Sequence, residues 1–171
     1  MTVEHPSSPR DVIITAGPHK IVIQSNPLVM GVLNVTPDSF SDGGTYITVA
    51  QAVDHARQMQ AHGAGIIDIG AESSRPGAIP TPEAEELRRL LPVLREITTW
   101  GVPVSVDTYK PAVMQAALGA GATMINDITG MTHPEALAVA AGSDCAVCVM
   151  HMQGVPGTMQ QAPEYEDVVS E

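Results

Sequence analysis

The sequence predicts an α/β domain built on a parallel sheet, and three observations predict it. Short apolar runs alternate with segments of helical period along the whole chain. Nearly every apolar run ends in a polar tip before the next helix begins. Aromatic residues make up only 3% of the 171 residues, so the core must be assembled from Val, Ile, Leu, Met and Ala, a composition that suits strands covered on their faces by helices. Strands that alternate with helices imply right-handed crossovers, and these in turn imply strands that all point the same way.

The elements follow in order. Val12-Ile13-Ile14-Thr15 and Ile21-Val22-Ile23-Gln24 flank a Gly17-Pro18 turn and read as an N-terminal β-hairpin. Residues 28–33 form the first main strand, which breaks at Asn34 into loop chemistry: Thr36-Pro37, Asp38-Ser39, Asp42-Gly43-Gly44. Residues 48–62 form the first helix, with Thr48 and Gln51 at capping-box spacing and Gly63-Ala64-Gly65 closing it. The strand 66–69 leads into a second polar loop, Gly70 to Gly77. The second helix starts at Thr81-Pro82, with Thr81 as cap and Glu83, Glu85 and Glu86 where the helix dipole favours anions, and runs to about Thr99. The strand 102–106 ends at Asp107 and the helix 110–118 ends at a second Gly-Ala-Gly turn. The strand 123–125 delivers Asn126 and Asp127, a short helix covers 134–141, and the strand 145–149 delivers His151. Residues 165–171 are expected to open another helix.

Bulk properties exclude several function classes. The length fits one domain, residues 1–171, with a substantial buried core. A net charge of -11 with only 8 Lys and Arg argues against nucleic-acid binding but leaves room for a local basic site for a small phosphate. No apolar run reaches the ~18 residues of a membrane span, and residues 1–9 lack the apolar stretch of a signal peptide, which makes the cytoplasm the expected compartment. Cys145 and Cys148 form a C-x-x-C, read as two small core residues of a strand: residues three apart on a strand face opposite ways, and no second pair exists to complete a zinc site.

In a parallel sheet the strand ends at Asn34, Asp68, Asp107, Asn126 and His151 converge on one rim, where α/β folds bind ligands. Taken singly, Asp68 and Asp107 could brace loops, Asn126-Asp127 could be a turn, and Arg75 could be a solvated charge. Polar groups at a buried rim nevertheless need partners. A ligand with several donors and an anionic end would supply them.

The segments Gly31 to Gly43, Asp68 to Gly77, Ser105-Val106-Asp107-Thr108, Ile125-Asn126-Asp127 and Met150 to Gln160 resemble dihydropteroate synthases, in the family's order and over nearly the whole chain. The resemblance implies a (β/α)8 TIM barrel, a transferase of folate biosynthesis and a target of sulfonamides. The reaction it implies joins 4-aminobenzoate to the diphosphate ester of a hydroxymethyl-dihydropterin and releases pyrophosphate. It implies Mg²⁺, with Asn34 at the metal and diphosphate. It places Asp38, Asp42 and Arg75 in catalysis, and Phe40, Ser74, Arg75, Pro76, Asp107 and Asn126 in substrate binding, with Phe40 against the aminobenzoate ring and Asp107 and Asn126 reading the pterin. The family usually carries Thr where Ser74 stands; the hydroxyl survives. The residue types suit this chemistry: a carboxylate accepts from the pterin's amino and ring N–H groups, a guanidinium grips phosphate, and Asp38 or Asp42 would face positive charge left on the pterin methylene.

A full barrel takes about 250 residues, and five strand units are legible here. The chain is therefore expected to be an incomplete barrel, without the family's later pterin-reading Asp, its Lys and Arg–His pair, or its late dimer helices. It is expected to be poorly soluble and inactive alone. The alternatives are a pterin-binding methyltransferase domain that uses methyl-tetrahydrofolate and a non-catalytic fragment. The loops Thr36 to Asp42 and Ser74 to Gly77 favour the synthase.

Overall fold

The computed structural model describes residues 12–24, 26–36, 48–73, 79–155 and 157–170. β1 (Val12–Ala16) and β2 (His19–Ile23) pair antiparallel across a turn in which Gly17 takes a positive φ of 55°. Then β3 (Val29–Asn34), α1 (Val49–Ala61), β4 (Ala64–Gly70), α2 (Glu83–Ile97), β5 (Val104–Asp107), α3 (Pro111–Gly119), β6 (Met124–Asp127), α4 (Pro134–Ala141) and β7 (Ala146–Val149) alternate as expected. The five strands β3 to β7 are all parallel, and each lies beside its sequence neighbour. This singly wound order is the start of a barrel; a doubly wound sheet would reverse direction at a switch point.

Alternation along the strands separates two faces. Leu33, Ile67, Ile69, Val104, Val106 and Ile125 face the helices and form the main core with Ala52, Ala56, Leu90, Leu94, Ile97, Met114 and Ala117. β3 lies close under α1: a Cβ on Gly31 would come within 2.9 Å of Met59 Sδ. On the opposite, inner face a smaller cluster forms where the hairpin's Ala16 and Ile21 pack on Ile66, Met124 and Ala146, all near the N-terminal ends of their strands. The Gly17 N–H donates to the Asp144 carbonyl at 2.8 Å. The hairpin thus floors the inner face from below and leaves its C-terminal end open.

Local chemistry accounts for most element ends. Thr48 and Gln51 form the capping box, with the Gln51 N–H donating to Thr48 Oγ1 at 3.2 Å and the Thr48 N–H to Gln51 Oε1 at 2.9 Å. Gly63 alone, at φ 98°, ends α1; Ala64 and Gly65 already belong to β4. Pro82, not Thr81, occupies the cap position of α2, because the Thr81 N–H donates to Glu72 Oε2 at 2.7 Å and its carbonyl accepts from Lys110. The helix expected from residue 165 does not form across 165–170. Asp167 takes the Val169 N–H at 3.0 Å and the Ser170 hydroxyl at 2.8 Å, a local turn that competes with a helix start. Cys145 packs against the core as expected. Cys148 does not: it is an exposed free thiol, because it lies on the inner face of the last strand of the sheet, and among the described residues no further strand pairs with β7.

β3 and β7 are the two edges of this sheet. Val29 and Val32 on β3 and Val147 and Val149 on β7 are exposed. Apolar edges recruit another chain. The protein should therefore associate with rising concentration in light scattering, and Val149→Lys, a charge on the open edge, should shift it toward monomer. A wild-type chain that stays monomeric at all concentrations would refute this.

Candidate functional site: an acceptor row on the inner rim

Strand register builds the site. Pairing puts Asn34, Gly70, Asp107, Asn126 and Cys148 side by side in the uppermost inner row, with Val32, Asp68, Ser105, Met124 and Ala146 in the row beneath. Gly70 sits between two of them: a Cβ there would lie 3.5 Å from both Asn34 Oδ1 and Asp107 Oδ2, in ordinary contact. Asp68 lies deeper, only 3% exposed, and its Oδ2 accepts from Asn126 Nδ2 at 3.2 Å. Among the described residues, Asp68 Oδ1 and the buried Ser105 Oγ have no hydrogen-bond partner.

Asp107 is the electrostatic centre of the row. Burial first, then the charges of Asp68, Glu86, Asp127 and Glu72, push its carboxyl up to about 7. Asp127, next to Asn126 in sequence, points the other way. It accepts from the Thr129 N–H and hydroxyl and from the Met131 N–H, at 2.7, 2.8 and 2.9 Å. Asp127 thus holds the turn that the sequence suggested, while Asn126 is turned to the inner face, where it donates to Asp68. His151 stands past β7, exposed, with its ring edge-on to Tyr165 at 5.1 Å.

Behind the row lies a polar network that the sequence reading missed. Lys110 Nζ bonds to Glu72 Oε2, to Glu86 Oε2 at 2.5 Å and to the Thr81 carbonyl at 2.8 Å. Tyr109 donates to Glu72 Oε1 at 2.8 Å and Thr108 to Glu86 Oε1 at 2.7 Å. Glu72, Glu86, Asp107, Thr108 and Tyr109 line one small cavity, so the network and the row are contiguous. One signal was available: Glu86 lies on the apolar stripe of α2 with Leu90, Val93 and Ile97, and an acid there demands a buried cation. A larger cleft on the helix side is lined by Thr48, Val49, Arg88 and Arg89. Both arginines donate to Glu85 at 2.7 Å, so this cleft is a self-neutralised surface.

Asn34, Asp107 and Asn126 are thus brought together. Asp38, Phe40, Asp42, Ser74, Arg75 and Pro76 lie outside the described residues. Among the described residues no group of three or more His, Cys, Asp or Glu is arranged to hold a metal ion.

A parallel, singly wound sheet with acceptors at its C-terminal rim is the arrangement of a ligand-binding barrel enzyme. Residues 30–171 match the family model described as "Pterin binding enzyme", and the chain belongs to that family. It is 53% identical over 148 residues to the dihydropteroate synthase of Escherichia coli K12, covering 86% of this chain and 52% of that protein. The dihydropteroate synthase of Yersinia pestis, solved with a sulfonamide drug, superposes with a TM-score of 0.84 at 48% identity, over 93% of this chain and 58% of that one. That of Burkholderia cenocepacia, solved with 7,8-dihydropteroate, gives 0.79 at 44% identity, over 92% and 53%. The chain therefore spans about half the length of the relatives it matches, and its sheet corresponds to part of their barrels.

Proposed function

We propose that this chain carries the pterin-reading half of a dihydropteroate synthase, a transferase of folate biosynthesis. The observation that supports it best is the acceptor row Asp107–Asn126 beside the small residue Gly70, in a chain about half of whose aligned residues are those of named synthases. The 2-amino group and ring N–H of a pterin would donate to Asp107 and Asn126. The diphosphate would lie toward Asn34 and the Ser74–Arg75 loop. Loss of pyrophosphate breaks the methylene C–O bond, and the amine of 4-aminobenzoate closes the C–N bond. Asp38 or Asp42 would face the positive charge that develops on the methylene, and Phe40 the aminobenzoate ring.

Mg²⁺ belongs to the same reading and would neutralise diphosphate charge. Asn34 offers it one amide oxygen at the exposed rim, which suits an ion that takes few protein ligands and fills the rest from phosphate and water. This reading places the reaction in the cytoplasm, and the protein as a homodimer.

The test joins this chain in frame to the C-terminal half of the Escherichia coli relative and follows pyrophosphate release. Turnover should require both substrates. Arg75→Lys keeps the charge but loses the guanidinium fork, and should lower turnover about tenfold or more with unchanged circular dichroism. A folded chimera that binds pterin yet releases no pyrophosphate would overturn the reading.

A further inference from the structure

Asp68 occupies an unusual position. It stands on β4, inside the sheet between β3 and β5, and is 3% exposed. Its sequence neighbours Ile67 and Ile69 are both fully buried in the core on the other face. Among the described residues it makes no ion pair. One of its oxygens accepts from Asn126 Nδ2 at 3.2 Å, and the other has no partner among the described residues. The register neighbour Ser105 is fully buried and, among the same residues, also leaves its hydroxyl without a partner. Buried polar atoms without partners are rare, and each calls for an explanation.

The two ends of an asparagine amide are nearly the same shape but opposite in hydrogen-bond sense. A carboxylate can only accept. Placed beneath Asn126, it takes one N–H of Nδ2, which fixes the amide with Oδ1 turned to the ligand beside the second Nδ2 N–H. We propose that Asp68 is a positioning residue that sets the polarity of Asn126. Asp107 and Asn126 Oδ1 then present two acceptors side by side. The ligand edge they select must carry adjacent N–H donors, as the 2-amino-pyrimidinone edge of a pteridine does. This specificity rests on the pterin reading above; the orientation of Asn126 does not.

Two measurements on the 171-residue chain test it. In NMR, the Asn126 side-chain N–H₂ protons should show one downfield, slowly exchanging signal that is lost in Asp68→Ala. In fluorescence titration, the chain should prefer 6-hydroxymethylpterin over the analogue with a 2-oxo group by about tenfold or more, because that analogue leaves an acceptor unpaired. Asp68→Ala removes the acceptor that holds the amide, so the preference should collapse. An Asn126 signal unmoved by Asp68→Ala would overturn the proposal, as would a folded Asp68→Ala chain with its preference intact. If the Asp68 variant does not fold, the wild-type exchange rate of the Asn126 amide protons decides: rapid exchange refutes the contact. A wild-type chain that binds neither pteridine, while its Asn126 signal still depends on Asp68, would refute the pterin reading and leave the positioning role standing.

Discussion

Replacing Lys110 with Met should destabilise the fold by about 3–5 kcal/mol, the usual cost of removing one partner from a buried ion pair. The ammonium lies between two carboxylates, with side-chain exposures of 12% for Lys110, 13% for Glu72 and 1% for Glu86. Burial alone would pull the lysine's pKa down, but its bonds to Glu72 and Glu86 outweigh burial and hold it above the ordinary value, so Lys110 stays charged. Without it, Glu86 keeps the Thr108 hydroxyl and Glu72 keeps the Tyr109 hydroxyl and the Thr81 N–H. Neutral donors of that kind do not compensate a buried charge. A domain of this size has roughly 5–15 kcal/mol of stability in all, so the loss is a large share of it. Urea titration reads the effect. The double variant Lys110→Met with Glu86→Leu should recover part of it, because it removes one of the stranded charges. A single variant within about 1 kcal/mol of wild type would show that water or a rearranged side chain replaces the lysine.

The network explains why the rim was more legible in sequence than its support. Asn34, Asp107 and Asn126 are strand-end polar residues, and the alternation of a parallel sheet suffices to bring them to one face. Asp68 is different. It read as a strand end like the others, but β4 runs on to Gly70, which lowers Asp68 by one row and buries it under Asn126. The shift of two residues turns a rim group into a floor group, and no local pattern marks it. Glu72, Glu86 and Lys110 meet across separations of 24 and 38 residues, which only tertiary packing sets. The three acids at the start of α2 read alike as dipole partners. Their fates diverge: Glu83 is exposed, Glu85 pairs with two arginines, and Glu86 is buried. At residue 165 the competing local bond, an aspartate that captures the N–H groups two and three residues on, won over helical tendency.

Asp107→Asn should make the protein more stable at pH 8 and less able to hold a pterin. The carboxyl's ordinary value is 3.8, and burial together with four neighbouring carboxylates raises it to about 7 in the fold. The sign follows from the direction of that shift. Below pH 3.8 Asp107 is neutral in both the folded and the unfolded chain, and its contribution to stability is fully present. As pH rises, the unfolded chain ionises freely while the folded one resists, and the contribution is lost by the time pH passes about 7. The amount is on the order of a few kcal/mol. Glu85 shifts the opposite way, down to about 2 through its Arg88 and Arg89 bonds, so its own contribution disappears only as pH falls from 4.5 toward 2, outside this window. Asparagine has no proton to lose, so the decline in stability between about pH 4 and 7 should flatten. Donors on a ligand favour the ionised carboxylate, so pterin affinity should rise with pH through about 7 in the wild type and lose that dependence in the variant. The lost charged acceptor should lower affinity about tenfold to over a hundredfold. Chemical denaturation at stepped pH and titration calorimetry measure the two effects separately. A variant that binds pterin as tightly as wild type would remove Asp107 from the site, and one whose pH profile is unchanged would place the strained carboxylate elsewhere in the fold.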